Sequence, residues 1–403
     1  MRLLMLTPSL PYPLHQGGAI RNYGIIHGLH AAGHDITLLS FHDSSLTIDS
    51  TPLINLCSQI ETVPFPQRAT SQRLRELALS AQPDLANRLR SAEFSHRLQS
   101  LLTQKKFDLI QFEGLEMAAY LPLTQDSGAK LCYDAHNAEY ALQRVIFEVD
   151  LSTPLRWPSA AYSLIQSNRI AHFERLVCQQ VDCVIAVSDE DAETLRHLCP
   201  DARISVIPNG VFADEYDETG EYLDLGKNVI TFTGKMDYRP NVDAMLWFTG
   251  SIFPQVQKRV PDARLYIVGQ KPHPRLESLR EKPNIELTGW VPEIRPFLHA
   301  TSVYIAPLRM GSGTRLKILE AMAAGCAVVA TNLAAAGLPQ AVKNAMVIAN
   351  QEAEMSESIV ALLQDDTRRK TLGQAAQIAI KNHYDWSLLI PRLLSTYKEI
   401  GLG

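Results

Sequence analysis

Residues 307–331, PLRMGSGTRLKILEAMAAGCAVVAT, hold the densest set of groups able to do chemistry. Gly311, Ser312, Gly313 and Thr314 form a loop directly ahead of a helical pattern. A helix start gathers unpaired amides and the positive end of the helix dipole, so such a loop suits an anion. Arg315 and Lys317 sharpen the point, because two cations in a first helical turn oppose the dipole unless an anion lies there. A diphosphate would remove that conflict. Glu320 falls one turn after Lys317 on the same helix face, where a carboxylate can accept both hydroxyls of a ribose. Each residue alone has a plainer alternative: Glu320 as the ion-pair partner of Lys317, Arg315 as a surface charge. Together with the glycine loop they favour a diphosphate–ribose site.

Two stretches of the first half carry similar signals. The loop 7–21, TPSLPYPLHQGGAIR, ends in Gly17-Gly18 at a helix start, where backbone amides can closely approach a phosphate or an acceptor hydroxyl. Arg21 could then meet an anionic acceptor, with a surface arginine on the helix as the alternative. The run LCYDAHN, 131–137, is an apolar strand that turns polar at its carboxyl end, bringing Asp134 and His136 to the edge where ligands of parallel sheets bind. The plain alternative for His136 is a hydrogen-bonded loop histidine.

The elements that must hold these residues follow from a rhythm of short apolar runs and longer amphipathic stretches, the signature of βα units. Strands are expected at 2–7, 36–41, 107–112, 130–133, 183–187 and 204–207, with helices near 19–32, 72–103, 160–180 and 189–198. Ser188 with Asp191 resembles a capping box at the last of these. Residues 208–227 are acidic, carry three glycines, and read as a linker. A second series puts strands near 228–233, 264–268, 285–288, 303–307, 327–330 and 346–348, and helices near 241–259, 293–300, 315–324 and 352–364. The fold class is therefore α/β, with two Rossmann-like parallel-sheet domains facing across a cleft.

In this order the motifs resemble the retaining glycosyltransferases of family 4, the glycosyl transferases group 1, which have the GT-B fold. The resemblance rests on Gly17-Gly18, IPNGV at 207–211, TGKMDYRPN at 233–241, YIVGQ at 266–270, TGWVPEI at 288–294 and LEAMAAGCAVVAT at 319–331. It implies an N-terminal acceptor-side domain at 1–207, a linker at 208–227 and a nucleotide-sugar domain at 228–383. The tail 384–403 would return to the first domain, with Trp386 packing there. Glu320 matches the second glutamate of the family's E-x7-E motif, which holds the donor ribose; the first falls on Ser312, so backbone amides of 312–314 would take over part of its work. The family's diphosphate-binding arginine matches Lys235, and its lysine falls on Pro240, leaving Arg239 adjacent and Arg315 and Lys317 opposite. His136 stands where the family places a histidine beside the donor sugar, and backbone near Val291 would lie against the base. The implied catalytic set is His136, Lys235, Arg315 and Lys317. Gly17, Gly18, Arg239, Val291, Gly311, Ser312, Gly313, Thr314 and Glu320 would bind the donor, and Arg21 the acceptor. Fixed cations and dipoles that stabilise the departing diphosphate make the reaction metal-independent; no cofactor is called for, the nucleotide sugar being a co-substrate.

Bulk properties set the remaining bounds. The chain has 403 residues with 46% hydrophobic and 20% charged, an ordinary globular balance that gives two or three domains. A net charge of −5 gives no reason to expect nucleic acid as a partner. The six cysteines are scattered without zinc spacing and read as reduced thiols of a cytosolic protein. Pro8 ends the first apolar run too early for a signal peptide, and the longest apolar run, 321–330, is far short of a bilayer span. Residues 67–106 carry Arg68, Arg73, Arg75, Arg88, Arg90, Arg97, Lys105 and Lys106 against three acids. This surface could dock on anionic lipid at the inner face of the membrane, or it is simply a solvated helix face. The expected partners are thus a nucleotide-sugar donor and a glycan or lipid-linked acceptor of cell-envelope or exopolysaccharide synthesis. Two other readings compete: a non-catalytic nucleotide-sugar-binding subunit and a nucleotide-sugar epimerase of the same fold. A nicotinamide-dependent oxidoreductase would need G-x-G-x-x-G after the first strand, and 7–21 lacks it.

Overall fold

Uncharged runs of Leu, Ile, Val and Met become strands buried on both faces, as parallel sheets covered by helices require. The first, β1 (Arg2–Thr7), exposes nothing from Leu3 to Leu6. The computed structural model describes residues 1–14, 17–43, 48–151, 157–217, 223–310 and 316–402, and the statements below refer to these. They form two units: Met1–Asn209 with Leu389–Gly403, and Gly210–Leu388.

In the first unit β1 is joined by β2 (Asp35–His42), β3 (Gln59–Pro64), β4 (Leu109–Glu113), β5 (Lys130–Ala135), β6 (Cys183–Ala186) and β7 (Ile204–Val206). The order is β3-β2-β1-β4-β5-β6-β7, and neighbours run parallel. Chain order reverses between β1 and β4, so a crevice for ligands opens beyond their carboxyl ends. The second unit repeats the plan with β8 (Val229–Thr233), β9 (Arg264–Val268), β10 (Ile285–Gly289), β11 (Val303–Ala306), β12 (Ala327–Ala330) and β13 (Val347–Ile348). Its order is β10-β9-β8-β11-β12-β13, again parallel, with the reversal between β8 and β11. The doubly wound α/β architecture expected from the sequence is present in both halves.

Several elements depart from the sequence reading. β3 was not expected: its residues QIETVP are half-buried, as suits the edge of a sheet, and their polarity hides the strand. The helix expected at 72–103 is three, Thr70–Leu79, Asp84–Asn87 and Ala92–Gln104, because Pro83 cannot continue a helix and Ser91 starts a new one by capping Phe94 N–H. The helix Glu139–Leu151 is an addition. The run 241–259 is a helix, Arg239–Trp247, then a π turn, Phe248–Ile252, then Phe253–Arg259; Pro254 lacks the N–H an unbroken α-helix would need there. Of the tail 384–403, the part from Leu389 onward belongs to the first unit, whereas Trp386 falls in the second, buried, its ring centroid 6.4 Å from that of Phe212 and its backbone N–H donating to Val211 O at 3.1 Å. Ser188 caps the helix Asp189–Leu198 through Asp191 N–H, as its sequence suggested. All six cysteines are buried free thiols. Among the described residues no helix is long and apolar enough to cross a membrane.

Candidate active site

In the first unit the carboxyl ends of β4 and β5 and the helix Gly17–Ala31 converge on one charged network. Glu113 closes β4 and Asp134 lies one residue before the end of β5, both wholly buried. Isolated carboxylates could not stay ionised there, so each must be matched by donors. Arg21 supplies those of Asp134 as a two-pronged fork, Nε to Oδ2 at 2.8 Å and Nη2 to Oδ1 at 2.7 Å. Its Nη1 donates to Ile207 O at 3.0 Å and to Asn209 Oδ1 at 2.9 Å. Arg21 is therefore only 1% exposed and cannot reach an acceptor, contrary to the expectation for it. Its work is to neutralise Asp134 and to tie β5 to the segment after β7.

Glu113 is served by three other donors. Gln111 Nε2 donates to Oε1 at 2.6 Å, and His136 Nε2 lies 3.2 Å from Oε2. Asn22, its amide oriented as the two acceptors dictate, donates to Oε2 at 2.7 Å and to Gly18 O at 3.2 Å. Burial and the neighbouring Asp134 push the Glu113 carboxyl above its ordinary range. Burial disfavours the His136 imidazolium, yet the bond to Glu113 and the charge of Asp134 outweigh it and hold the ring above the usual histidine value. Glu113, Asp134 and His136 each turn one ligand-type atom to within 4.8 Å of the others, spacing that could suit a cation. Arg21 already engages both oxygens of Asp134, so the cluster reads as a balanced charge network.

The loop that carries His136 is itself fixed. Asp191 accepts from Ala138 N–H at 3.0 Å, and the buried Glu174 accepts from the N–H groups of Glu139 and Tyr140, each at 3.1 Å. These are orphan amides of the helix Glu139–Leu151, so two distant carboxylates cap it. Asp191 belongs to a D-x-D triplet, Asp189-Glu190-Asp191, a pattern that elsewhere can hold metal; here it opens a helix, and Asp191 is spent on Ser188 and Ala138. Gly17 and Gly18 begin their helix as expected, with His136 beside them: a Cβ on Gly18 would stand 3.7 Å from His136 Nδ1 and Cε1.

In the second unit the strand ends of β8 and β9 come together through glycine. A Cβ on Gly269 would meet Gly234 O at 1.8 Å, and both residues hold left-handed φ, 149° at Gly234 and 156° at Gly269. A Cβ on Gly234 would meet Lys317 Nζ at 2.8 Å. Lys317, on the helix Leu316–Ala323, donates to Asn241 Oδ1 at 2.7 Å and sits 4.4 Å above the Phe232 ring. Asn241 Nδ2 in turn donates to Lys235 O at 2.9 Å, so one amide links the Lys235 loop to Lys317. Glu320, half-buried one turn on, accepts from Tyr216 OH at 3.2 Å; burial pushes its carboxyl up to about 7 against the pull of Tyr216 and Lys317. Lys235 is partly exposed, 3.5 Å from Asp237, and Arg239 is exposed in the first turn of its helix. Val291 packs on the small cluster of Val229, Tyr266 and Val268.

Gly311, Ser312, Gly313, Thr314 and Arg315 lie outside the described residues. The basic stretch is partly neutralised: Arg68 pairs with Glu76 and Asp84, Arg88 with Glu116 and Arg97 with Glu61, while Arg75, Arg90, Lys105 and Lys106 are exposed. Sequence reasoning missed Glu113, Asn22, Asn241 and Tyr216. A strand-end carboxylate before a glycine was the available signal for Glu113, and the quoted TGKMDYRPN motif contained Asn241.

Residues 16–215 match the family model Glycosyltransferase Family 4, and residues 227–365 match Glycosyl transferases group 1. A 44.6 kDa protein of the Klebsiella pneumoniae cps region is 22% identical over 398 residues, covering 95% of this chain and 96% of that protein. Phosphatidyl-myo-inositol mannosyltransferase of Mycobacterium tuberculosis is 29% identical over 208 residues, 48% of this chain and 54% of that enzyme. The fold is similar to that of the Anabaena protein HepE, solved in complex with UDP and glucose. The TM-score is 0.66 at 14% identity, over 99% of this chain and 100% of that one.

Proposed function

This chain belongs to glycosyltransferase family 4, and on that premise we propose that it moves a sugar from a nucleoside-diphosphate donor to an acceptor hydroxyl with retention of configuration. The observation that carries the reading is the corner of the second unit where Asn241 links Lys317 to the Lys235 loop, with Glu320 one turn along the same helix. Cations and backbone dipoles held in place before the reaction stabilise the charge that grows on a departing diphosphate. Lys235, Lys317 and Arg315 take that role, with Arg239 and the amides of 311–314 completing the donor site. Glu320 holds the ribose hydroxyls. His136 is assigned to the donor sugar, and the amides of Gly17 and Gly18 to a phosphate or the acceptor hydroxyl, on the family resemblance of these motifs. The backbone at Val291 lies against the base.

The acceptor is a glycan or lipid-linked precursor of a cell-envelope or exported polysaccharide. Two likenesses support this, one to a protein of a cps region and one to an enzyme named for a phosphoinositide. The helices Glu139–Leu151 and Trp157–Gln180 leave Val145, Ile146, Leu151, Trp157, Leu164 and Ile165 exposed, which suits peripheral contact with a membrane, and the exposed Arg75, Arg90, Lys105 and Lys106 suit an anionic one.

A UDP-sugar is the first donor to test, since a protein of this fold was solved with UDP and glucose. Donor at 100 times its dissociation constant should stabilise the chain by about 2.7 kcal/mol, read as a rise in melting temperature. Lys317→Ala should remove most of that rise, and wild-type chain with donor and acceptor should release nucleoside diphosphate. If UDP-, GDP- and ADP-sugars all leave the melting curve unmoved, the reading is wrong.

A further inference from the structure

We propose that Glu113 is a positioning residue for the transfer reaction: its carboxylate fixes the His136 ring through Nε2 and, through Asn22, fixes the glycine start of the helix Gly17–Ala31. The inference rests on the reading of His136 as the group beside the donor sugar.

Glu113 is 0% exposed, and its oxygens are met by side chains of the protein. Three N–H donors converge on them: Gln111 at 2.6 Å, Asn22 at 2.7 Å and His136 at 3.2 Å. An ionised carboxylate can only accept, so the hydrogen between it and His136 belongs to Nε2. That choice leaves Nδ1 as the ring atom offered on the side of Gly18, where a Cβ would stand 3.7 Å away. A neutral ring would accept a sugar hydroxyl's hydrogen at Nδ1; an imidazolium would donate there. The amide of Asn22 that reaches Glu113 also reaches Gly18 O, so one buried oxygen sets both the ring and the helix start.

The charged groups around His136 come from four elements: Glu113 on β4, Asp134 on β5, Arg21 on the helix Gly17–Ala31 and Glu139 on the helix Glu139–Leu151. Arg21 is committed to Asp134, which leaves Glu113 as the anion in direct contact with the imidazole. The bond to Glu113 is also the largest influence raising the His136 titration.

The test uses full-length chain labelled with nitrogen-15 histidine. Wild type should show the hydrogen on Nε2 of His136 and a titration above the ordinary histidine value. Glu113→Gln, which turns an amide N–H toward one of the three donors, should lower that titration. Its kcat should fall by about 100-fold, the cost of a small misplacement, while the donor KM stays within about threefold. Glu113→Asp keeps the charge and shortens the reach: the titration should fall less than in Glu113→Gln, while kcat still falls. An unchanged His136 titration and kcat in Glu113→Gln overturns the proposal; if that variant does not fold, wild-type kcat in Glu113→Asp does. Should wild type turn over no donor, the proposed function falls, and the tautomer and titration still decide the role of Glu113.

Discussion

Glu320 shows how one side chain's surroundings set the pH at which a site can work. Burial lifts its carboxyl from 4.5 to about 7, with the Tyr216 hydroxyl and Lys317 opposing the rise. A carboxylate that accepts two ribose hydroxyls must be ionised. With a titration near 7, the ionised fraction climbs from about one-tenth at pH 6 to about nine-tenths at pH 8. Affinity for a nucleoside diphosphate should therefore strengthen by about tenfold over that interval, measured by calorimetric titration. Glu320→Gln should bind more weakly at pH 8 and lose most of the pH dependence. An equally steep dependence in that variant would show that another group titrates and that Glu320 does not hold the ribose.

At the scale of elements, the glycines divide into two kinds that a single substitution separates. Gly269→Ala would drive a Cβ to 1.8 Å from Gly234 O, where both strand ends must shift; a loss of about 2–4 kcal/mol is expected in chemical denaturation. Gly18→Ala would meet only ordinary contact with His136, in the first turn of a helix, where alanine gains at most the roughly 0.5–1 kcal/mol over glycine of a helix interior. The Gly18 variant should melt at or above the wild-type temperature and still lose transfer activity, because the added methyl blocks close approach of a ligand to the backbone. Full activity would remove Gly18 from the site. The same contrast marks what the sequence made legible. Core strands such as β1 and β12 announce themselves as uncharged runs, and Lys317 with Glu320 is a spacing of three on one helix. The edge strand β3 is too polar to stand out. Arg21 looks like a surface arginine because its partner Asp134 lies 113 residues away, beyond any local pattern. Glu113, Asn22 and His136 meet only once β4, β5 and the first helix are assembled, so their shared purpose was not readable from spacing.

At the scale of the whole chain, the last residues complete a network whose other members lie near its beginning. Residues from Leu389 onward belong to the first unit, where Leu389, Leu393 and Tyr397 are fully buried. The Tyr397 hydroxyl donates to Gln111 Oε1, and Gln111 Nε2 donates to Glu113 Oε1 at 2.6 Å. The amide of Gln111 is thereby oriented: its oxygen is taken by the tyrosine, so its nitrogen must face the carboxylate. Tyr397→Phe keeps the ring and its packing and leaves that oxygen buried without a donor, which costs about 1–3 kcal/mol. Freed of its partner, the amide can turn its oxygen toward Glu113, a repulsion that the carboxylate relieves by moving or by taking a proton. Tyr397→Phe should therefore lower the melting temperature and, by a smaller factor than Glu113→Gln, lower kcat with the donor KM unchanged. Tyr397→Ala, which also empties core volume, should cost more stability still. A kcat for Tyr397→Phe equal to wild type, at a temperature where both are folded, would confine the tail to a packing role and cut the link between the end of the chain and His136.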